Sequence, residues 1–597
     1  MIKMKAFKKL KDRLKGLTDA IARFPLTTIF LLAAAFINAY DISTEKTISK
    51  YLLTFVVGAF LSAVAQVAYE RYFNKFSTRI VLMGVVILLT AGYYLVIMQV
   101  PSLSLEIEIR TAVALFGLLI AFMWVPVIKS KISFNSSFMI SFKSLFNSLF
   151  FSGVIFAGIS IILTAINQLI FTIDHTAYPH TVNIVFIIFA PMYFLSLIPI
   201  FPGVRNNSKN QEKMDLQKES IDESAHCPKF LEVLISYILI PLIAVFTLIL
   251  VIYIIKNIGG EFWTDNLLEP MLVSYAITVI LVYILASEIE NKFTAFFRKF
   301  FPKVLVPIVL FQITSSILSL ADTGVTHTRY YVILFGLFAA VSGVLLSFLP
   351  VRKNGVIAAL LIVFATISIV PPVDAFTVSR SSQTNTLKNV LEQNNMLENN
   401  KILPNESISN KDKRTITNAI NYLSRMEYTK KIAWLPDDFN AYEDFSDTFG
   451  FKEYQDPDNY NQGVYLSIEQ FTPINITGYD TFVQTDIYMS DQNRKETIFD
   501  IEKDGKKYTL LRDFKEDQMD LTLMGENGQE LIRFKTQEIY DKFYHYNSME
   551  SLMSAEEATF TKENNNAKMT IVVQNLGIDK TNEKYNNALL FVFVQVK

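Results

Sequence analysis

The sequence predicts a polytopic α-helical membrane domain of about eleven spans, followed by an α+β, mostly antiparallel β, extracytoplasmic domain. Three observations predict it. Apolar runs long enough to cross a hydrocarbon core of about 30 Å recur between residues 24 and 373. Lysine and arginine collect in every second loop between those runs. Beyond Phe376 lie about 220 polar residues without any such run.

The spans read at about 24–40, 51–69, 79–100, 111–128, 150–171, 181–202, 231–256, 268–286, 302–321, 329–349 and 354–373. Basic residues mark the N-terminus (Lys3 to Lys15) and then alternate loops holding Arg71, Lys75 and Arg79, Lys129 and Lys131, Lys209 and Lys213, Arg298 and Lys299, and Arg352 and Lys353. The intervening loops are poorer in positive charge, which puts the N-terminus inside and the C-terminal domain outside a bacterial cell membrane. A cleaved leader is the alternative for the first run; its long basic approach and the spans that follow argue against cleavage. Domain boundaries follow. Residues 1–23 form a basic amphipathic cytoplasmic interfacial helix, 24–375 the membrane domain, 376–435 a helical neck, and 436–597 a β-rich extracytoplasmic domain.

Charge divides the same way. Residues 1–375 carry 30 Lys+Arg against 21 Asp+Glu, and residues 376–597 carry 25 against 35. The acidic C-terminal part repels anionic surfaces, so nucleic acid is not a partner. The single cysteine, Cys227, rules out an intrachain disulfide. Beside the first helix, two further basic aromatic segments, Phe134 to Leu149 and Phe293 to Phe300, read as interfacial rather than spanning.

Within the spans, small-residue stripes at Gly58, Ser62 and Ala65, at Gly336, Ala340 and Gly343, and at Gly153, Ala157 and Ser160 suit close helix packing. The ninth span differs: Gln312, Ser315, Ser316, Ser319 and Asp322 descend one face toward the outer surface. Interhelical hydrogen bonding and the lining of a path are both compatible with it. Pro191, Pro199, Pro241 and Pro307 can kink or break their helices. No deeply placed acid–base pair suggests proton coupling.

Thr326-His327-Thr328-Arg329-Tyr330-Tyr331 precedes the tenth span, and Phe376-Thr377-Val378-Ser379-Arg380-Ser381-Ser382-Gln383 follows the eleventh. With Pro241-Leu242 in the seventh span, these resemble an uncharacterised bacterial polytopic membrane family, the domain of unknown function "forty-one fifty-three", over roughly residues 180–390. His327 departs from the Asn or Glu expected there. The resemblance implies topology and no chemistry. Arg329 reads as an interfacial anchor or a partner for Asp322, with a substrate-anion contact as the sharper alternative.

In the exterior part, Ser409 caps a helix to Met426, and a helix from about Gln383 to Met396 continues the last span as a stalk. Strands follow Pro436, with hairpin turns at Asp504-Gly505 and Asn527-Gly528 and a central strand over Ala588–Val596. No nucleophile–base arrangement, Walker loop or dinucleotide fingerprint is present, so the reading leans away from an enzyme and no cofactor is expected. The acidic run from Asp437 to Asp458 lacks the spacing of a calcium loop. His175, His180 and His327, with Asp174 and Asp322, offer zinc ligands if their two outer loops meet. Two functional readings follow. One is a non-enzymatic envelope protein displaying a binding or sensing domain to a cell-wall polymer, peptide or envelope protein, with the lipid bilayer as its other partner. The other is a transporter or lipid-handling protein with a path along Gln312, Ser316, Ser319, Asp322 and Arg329.

Overall fold

The computed structural model describes residues 15–44, 49–100, 103–204, 211–257, 269–436, 438–454, 463–469, 472–488, 496–515, 518–546, 552–580 and 585–597. Most of the basic N-terminal helix lies outside the described residues; 15–23 are helical. Eleven helices among the described residues are long and apolar enough to cross a membrane: Pro25–Thr44, Ser49–Tyr72, Phe76–Ile97, Leu105–Val127, Phe134–Leu169, Ala177–Ser196, Lys229–Lys256, Glu269–Ala286, Lys292–Leu320, His327–Phe348 and Val351–Ile369. Each satisfies its backbone internally, as a segment in hydrocarbon must. The chain is an integral multi-pass membrane protein, with spans at the eleven expected places.

Small residues set the helix contacts. A Cβ on Gly58 would lie 2.9 Å from the Phe30 ring, so the first two spans touch there. A Cβ on Gly343 would lie 2.8 Å from the Val306 side chain and 3.1 Å from the Pro302 carbonyl. The ninth and tenth spans therefore pack backbone to side chain. The stripe on the fifth span behaves differently: Gly153 has nothing within 4 Å of where its Cβ would stand.

Arginines tie the helix ends near the chain N-terminus. Arg23 pairs with Glu70 at 2.8 Å, Arg79 donates to the Arg23 carbonyl at 2.7 Å, and Arg71 donates to the Ile128 and Lys129 carbonyls at 3.1 and 3.2 Å. These groups satisfy orphan carbonyls where helices end.

Three expectations are corrected. The segments 134–149 and 293–300 are not separate interfacial helices; they continue into the fifth span (Phe134–Leu169, 36 residues) and the ninth (Lys292–Thr323, 32 residues). At 1.5 Å per residue both helices exceed a bilayer core, so spanning and interfacial portions share one rod. Proline does not break the ninth span, which runs through Pro302 and Pro307. Pro191 and Pro241 instead each follow a π-helical stretch, Asn183–Phe189 and Leu234–Leu239. Widening the helix there relieves the clash of the proline ring with the preceding turn. Finally, the neck helix is no continuation of the eleventh span. It is a new helix, Ala375–Gln393, begun by Asp374 as N-cap, after a break at Pro371-Pro372.

The chain divides into two compact units, Met1–Phe451 and Lys452–Lys597. The first unit thus includes a collar beyond the spans. Its helices Ala375–Gln393 and Asn410–Arg425 enclose a core of Leu387, Leu391, Ile416, Ile420 and Leu423, joined by Phe445 and Phe449. Ser409 caps the second helix by accepting from the Asp412 N–H at 3.1 Å. A short hairpin, β1 (Leu397–Glu398) with β2 (Lys401–Ile402), links them.

The second unit is two sheets around one core. β3 (Gly463–Ile468), β4 (Thr481–Tyr488), β9 (Leu552–Met553), β11 (Ala567–Asp579) and β12 (Asn587–Val596) run in the order β4-β12-β11-β3-β9, with β10 (Thr559–Glu563) also on β11. β5 (Glu496–Lys503), β6 (Lys506–Lys515), β7 (Gln518–Met524) and β8 (Glu530–Lys535) form an antiparallel meander. Asp504 and Gly505 both have positive φ, 53° and 73°, and join β5 to β6 as a two-residue turn. β12 is central, between β4 and β11.

Packing at Gly343 gives a test. Gly343→Leu should destabilise the purified protein by about 1–3 kcal/mol through overpacking, read as a lower unfolding temperature. Gly92→Leu, where nothing lies within 4 Å, should leave it unchanged.

Candidate functional site

The polar chemistry concentrates where the collar meets the bundle. At the start of the fourth span Glu106 and Arg110 stand one turn apart and pair at 2.8 Å. The same Arg110 Nη2 also meets Asp374 at 2.5 Å, and Nη1 donates to the Ile369 carbonyl. Asp374 is wholly buried, and the same oxygen accepts the Phe376 and Thr377 N–H groups at 3.0 and 3.1 Å. Arg110 also lies over the Phe376 ring, 5.0 Å from its centroid. The second Glu106 oxygen accepts the Tyr428 hydroxyl at 2.7 Å. One guanidinium therefore joins the fourth span, the end of the eleventh and the start of the collar.

A second strand of contacts comes from the resemblance motif. Tyr422 donates to Ser379 at 2.9 Å and lies 3.1 Å from the His327 ring nitrogen, while His327 stacks on Phe376 at 5.6 Å. The Gln383 amide donates to the Thr323 and Val325 carbonyls at 2.9 and 3.2 Å, and Ser382 accepts from the Val325 N–H at 3.0 Å. Gly324, at φ 66°, allows this approach, since a Cβ there would lie 2.9 Å from the Gln383 amide nitrogen. The motif Phe376–Gln383 is thus the seam between collar and spans nine and ten.

Electrostatics follow the geometry. Burial alone would raise the Asp374 pKa, but hydrogen bonds at Thr377 and Phe376 and the Arg110 charge outweigh it and hold the carboxyl below its usual range. Burial, then Glu106 alongside, pushes the Tyr428 hydroxyl far above an ordinary phenol. It stays a proton donor at any ordinary pH.

The ninth-span stripe is packed. Gln312, Ser315, Ser316 and Ser319 are all buried. Ser316 donates to Glu269 at the start of the eighth span, and Ser319 donates back to the Ser316 carbonyl at 2.9 Å. Arg329 donates to the Ser319 carbonyl at 2.8 Å and to the Thr323 hydroxyl. The Asp322 side chain lies outside the described residues. Gln312 is the exception to satisfaction: neither end of its amide meets a hydrogen-bond partner among the described residues.

The three histidines are not gathered into one site. His175 is exposed beside Asp174 at 3.5 Å, His180 lies 3.2 Å from Ser43 on the first span, and His327 is packed under the collar. Among the described residues no group of three or more His, Cys, Asp or Glu is placed to hold a metal. Sequence reasoning did not single out Arg110, Glu106, Asp374, Tyr422 or Tyr428. The available signal was an acidic N-cap two residues past Pro371-Pro372, just before the resemblance motif.

A separate feature is an apolar cavity of about 470 Å³ between the first, second, fourth, fifth and sixth spans. Sealed and left empty, such a volume would cost on the order of 10 kcal/mol.

Two outcomes test the seam. Arg110→Met leaves Asp374 buried without its counter-ion and should cost about 3–5 kcal/mol, seen as faster proteolysis or hydrogen exchange of the 375–393 helix. Because the Asp374 pKa is held down in the folded state, its contribution is full above the unfolded carboxylate value near pH 4. It should fade as pH drops through the folded value, and Asp374→Asn should flatten that acid-side loss.

No curated protein and no solved structure matches the chain. A family model, the domain of unknown function DUF4153, matches residues 26–402, which takes in all eleven spans and the first collar helix with its seam motif. The chain therefore belongs to the DUF4153 family of polytopic membrane proteins.

Proposed function

We propose that this protein is a non-enzymatic integral membrane protein of the bacterial envelope, with its N-terminus inside and its C-terminal unit displayed outside as a binding or sensing domain. The observation that carries the reading is an exposed face on the six-stranded sheet. Phe482, Tyr465 and Tyr488 are 52%, 72% and 47% exposed there, with Phe591 and Tyr479 half-buried among them. Phe482 packs against Phe591 and Phe593 at 5.5 and 5.1 Å, and Tyr479 against Phe593 at 5.5 Å, so these four rings form one patch, while Tyr488 stands on the same face six residues further along β4 and Tyr465 on β3. Amides border it, Gln484 donating to Gln574 at 3.5 Å with Asn575 alongside. Contiguous exposed aromatics mark interaction surfaces. Rings for stacking and neutral amides for hydrogen bonding suit the glycan chains of a cell-wall polymer. The acidic balance of residues 376–597 disfavours an anionic polymer.

The collar supports display. Within the first unit, a buried ion pair and a hydrogen-bonded seam fasten the collar to the spans. In this reading the first unit is a mount and the second a receptor.

Transport along the ninth span is the second reading, favoured by the unpartnered Gln312 amide. Water or a passing solute would satisfy that group. Burial and hydrogen bonding of Ser316 and Ser319 favour the packed account instead.

Two measurements separate them. In a Cys227→Ser background, an impermeant thiol reagent on intact cells should label Tyr442→Cys, which is 92% exposed, and spare Lys75→Cys. It should also spare cysteines at Gln312, Ser316 and Ser319; labelling at all three would replace display by transport. The full-length protein in nanodiscs should sediment with insoluble peptidoglycan, and Phe482→Ala should weaken that binding about tenfold, the loss of one stacked anchor. Sedimentation unaffected by Phe482→Ala and Tyr465→Ala, or none at all, would remove the glycan reading.

A further inference from the structure

The cavity in the first half of the bundle is a binding site of a different kind. Its volume, about 470 Å³, falls within the range of small-molecule sites, about 300–1,000 Å³. Its wall is almost wholly carbon, with Phe60, Phe122, Phe138, Phe142, Phe186 and Phe194 contributing rings. Of the three hydroxyls on that wall, at Thr27, Ser141 and Ser148, two are engaged: Thr27 with Ser62 at 2.8 Å, and Ser148 with the Ala190 carbonyl at 2.5 Å. Nothing there asks for an ion, and a water inside would lack the two to four polar partners it needs.

The opening identifies the occupant. Phe116, Leu145 and Leu149 line the cavity and are also 47%, 42% and 48% exposed. All three lie on helices long and apolar enough to span, so the mouth opens sideways, between the fourth and fifth spans. The fifth span forms one side of that mouth; its buried residues all lie between Phe134 and Ser152, alongside the cavity, and none lies in the rest of the helix. The opposite wall includes Phe186 from the π-helical stretch and Pro191 just beyond it, a widened turn of the type that recurs at functional sites.

We propose that this cavity holds one acyl chain of a membrane phospholipid, entering from the bilayer between the fourth and fifth spans. An apolar, ring-lined slot that opens only onto hydrocarbon complements a flexible methylene chain and excludes the headgroup, which stays at the membrane surface. The site shares no residue with the sheet face or with the collar seam.

The test uses full-length protein in nanodiscs of phosphatidylglycerol and phosphatidylethanolamine, doped with a phospholipid carrying a photoactivatable diazirine near its acyl terminus. Mass spectrometry after illumination should find adducts on the deep wall, at Phe138, Phe142 and Phe186, beyond the general labelling of the lipid-facing surface. Ala63→Phe fills the cavity and Leu145→Trp obstructs its mouth at an exposed position. Each should cut deep-wall adducts about tenfold while adducts at exposed Phe150 and Ile161 stay constant. Native mass spectrometry of the protein freed of bulk lipid should retain one phospholipid mass, lost in both variants; a retained fatty-acid mass would overturn the phospholipid assignment. Adducts confined to Phe150, Ile161 and similar surface positions, or deep-wall labelling indifferent to both substitutions, would overturn the site itself.

Discussion

The Arg110–Asp374 pair is the contact on which the arrangement of the first unit turns. A carboxylate buried as completely as Asp374 is tolerable only when paired and hydrogen-bonded. Here it is both, and its partners come from different places: a guanidinium from the fourth span and two N–H groups from the first turn of the collar helix. The same carboxylate caps that helix, so the residue that starts the collar also fixes it to the bundle. Removing either function removes the other. Glu106 extends the link through the Tyr428 hydroxyl to the far end of the collar. The seam motif then closes the side facing spans nine and ten.

That geometry gives the ninth-span stripe a structural meaning. Arg329 and the Gln383 amide satisfy carbonyls at Ser319, Thr323 and Val325, the last turn of the ninth span and the segment just after it. Helix ends leave such carbonyls without partners, and in a membrane protein leaving them so is costly. Ser316 and Ser319 are then hydrogen-bonding spacers beneath that capped end, and Glu269 brings the eighth span into the same cluster. Gln312, two turns deeper, falls outside this pattern. Both ends of its buried amide lack a hydrogen-bond partner among the described residues.

Hydropathy and loop charge made the eleven spans legible, because a lipid solvent punishes any other solution for the backbone. Turn chemistry did the same for Asp504-Gly505, where two positive φ angles require that dipeptide's tolerance. What escaped was anything depending on both parities or on distant partners. β12 is apolar at nearly every position, so alternation could not say that Leu590, Val592 and Val594 face the core and Phe591 faces out. The extension of the fifth and ninth spans was hidden because a basic aromatic stretch looks the same lying flat or continuing a rod. The seam was half visible: its motif stood out in the sequence, while Arg110 and Asp374 lie 264 residues apart and carry no local sign of each other.

The two halves of the bundle are built on opposite principles. Around the ninth and tenth spans, glycines bring backbones together until a single Cβ would collide, and polar side chains are spent on one another. Around the fifth span the glycines face open space, aromatic side chains hold the helices apart, and a void large enough for a ligand remains. Close packing of the first kind suits a rigid mount, since interiors at crystal-like density transmit strain instead of absorbing it. A loosely held helix beside an apolar void is what a bilayer can enter. The collar is fastened to the tight half through spans nine and ten, and to the fourth span, which also lines the void. Arg110 and Phe116 lie on that one helix, six residues apart, so the seam and the cavity share a rigid element.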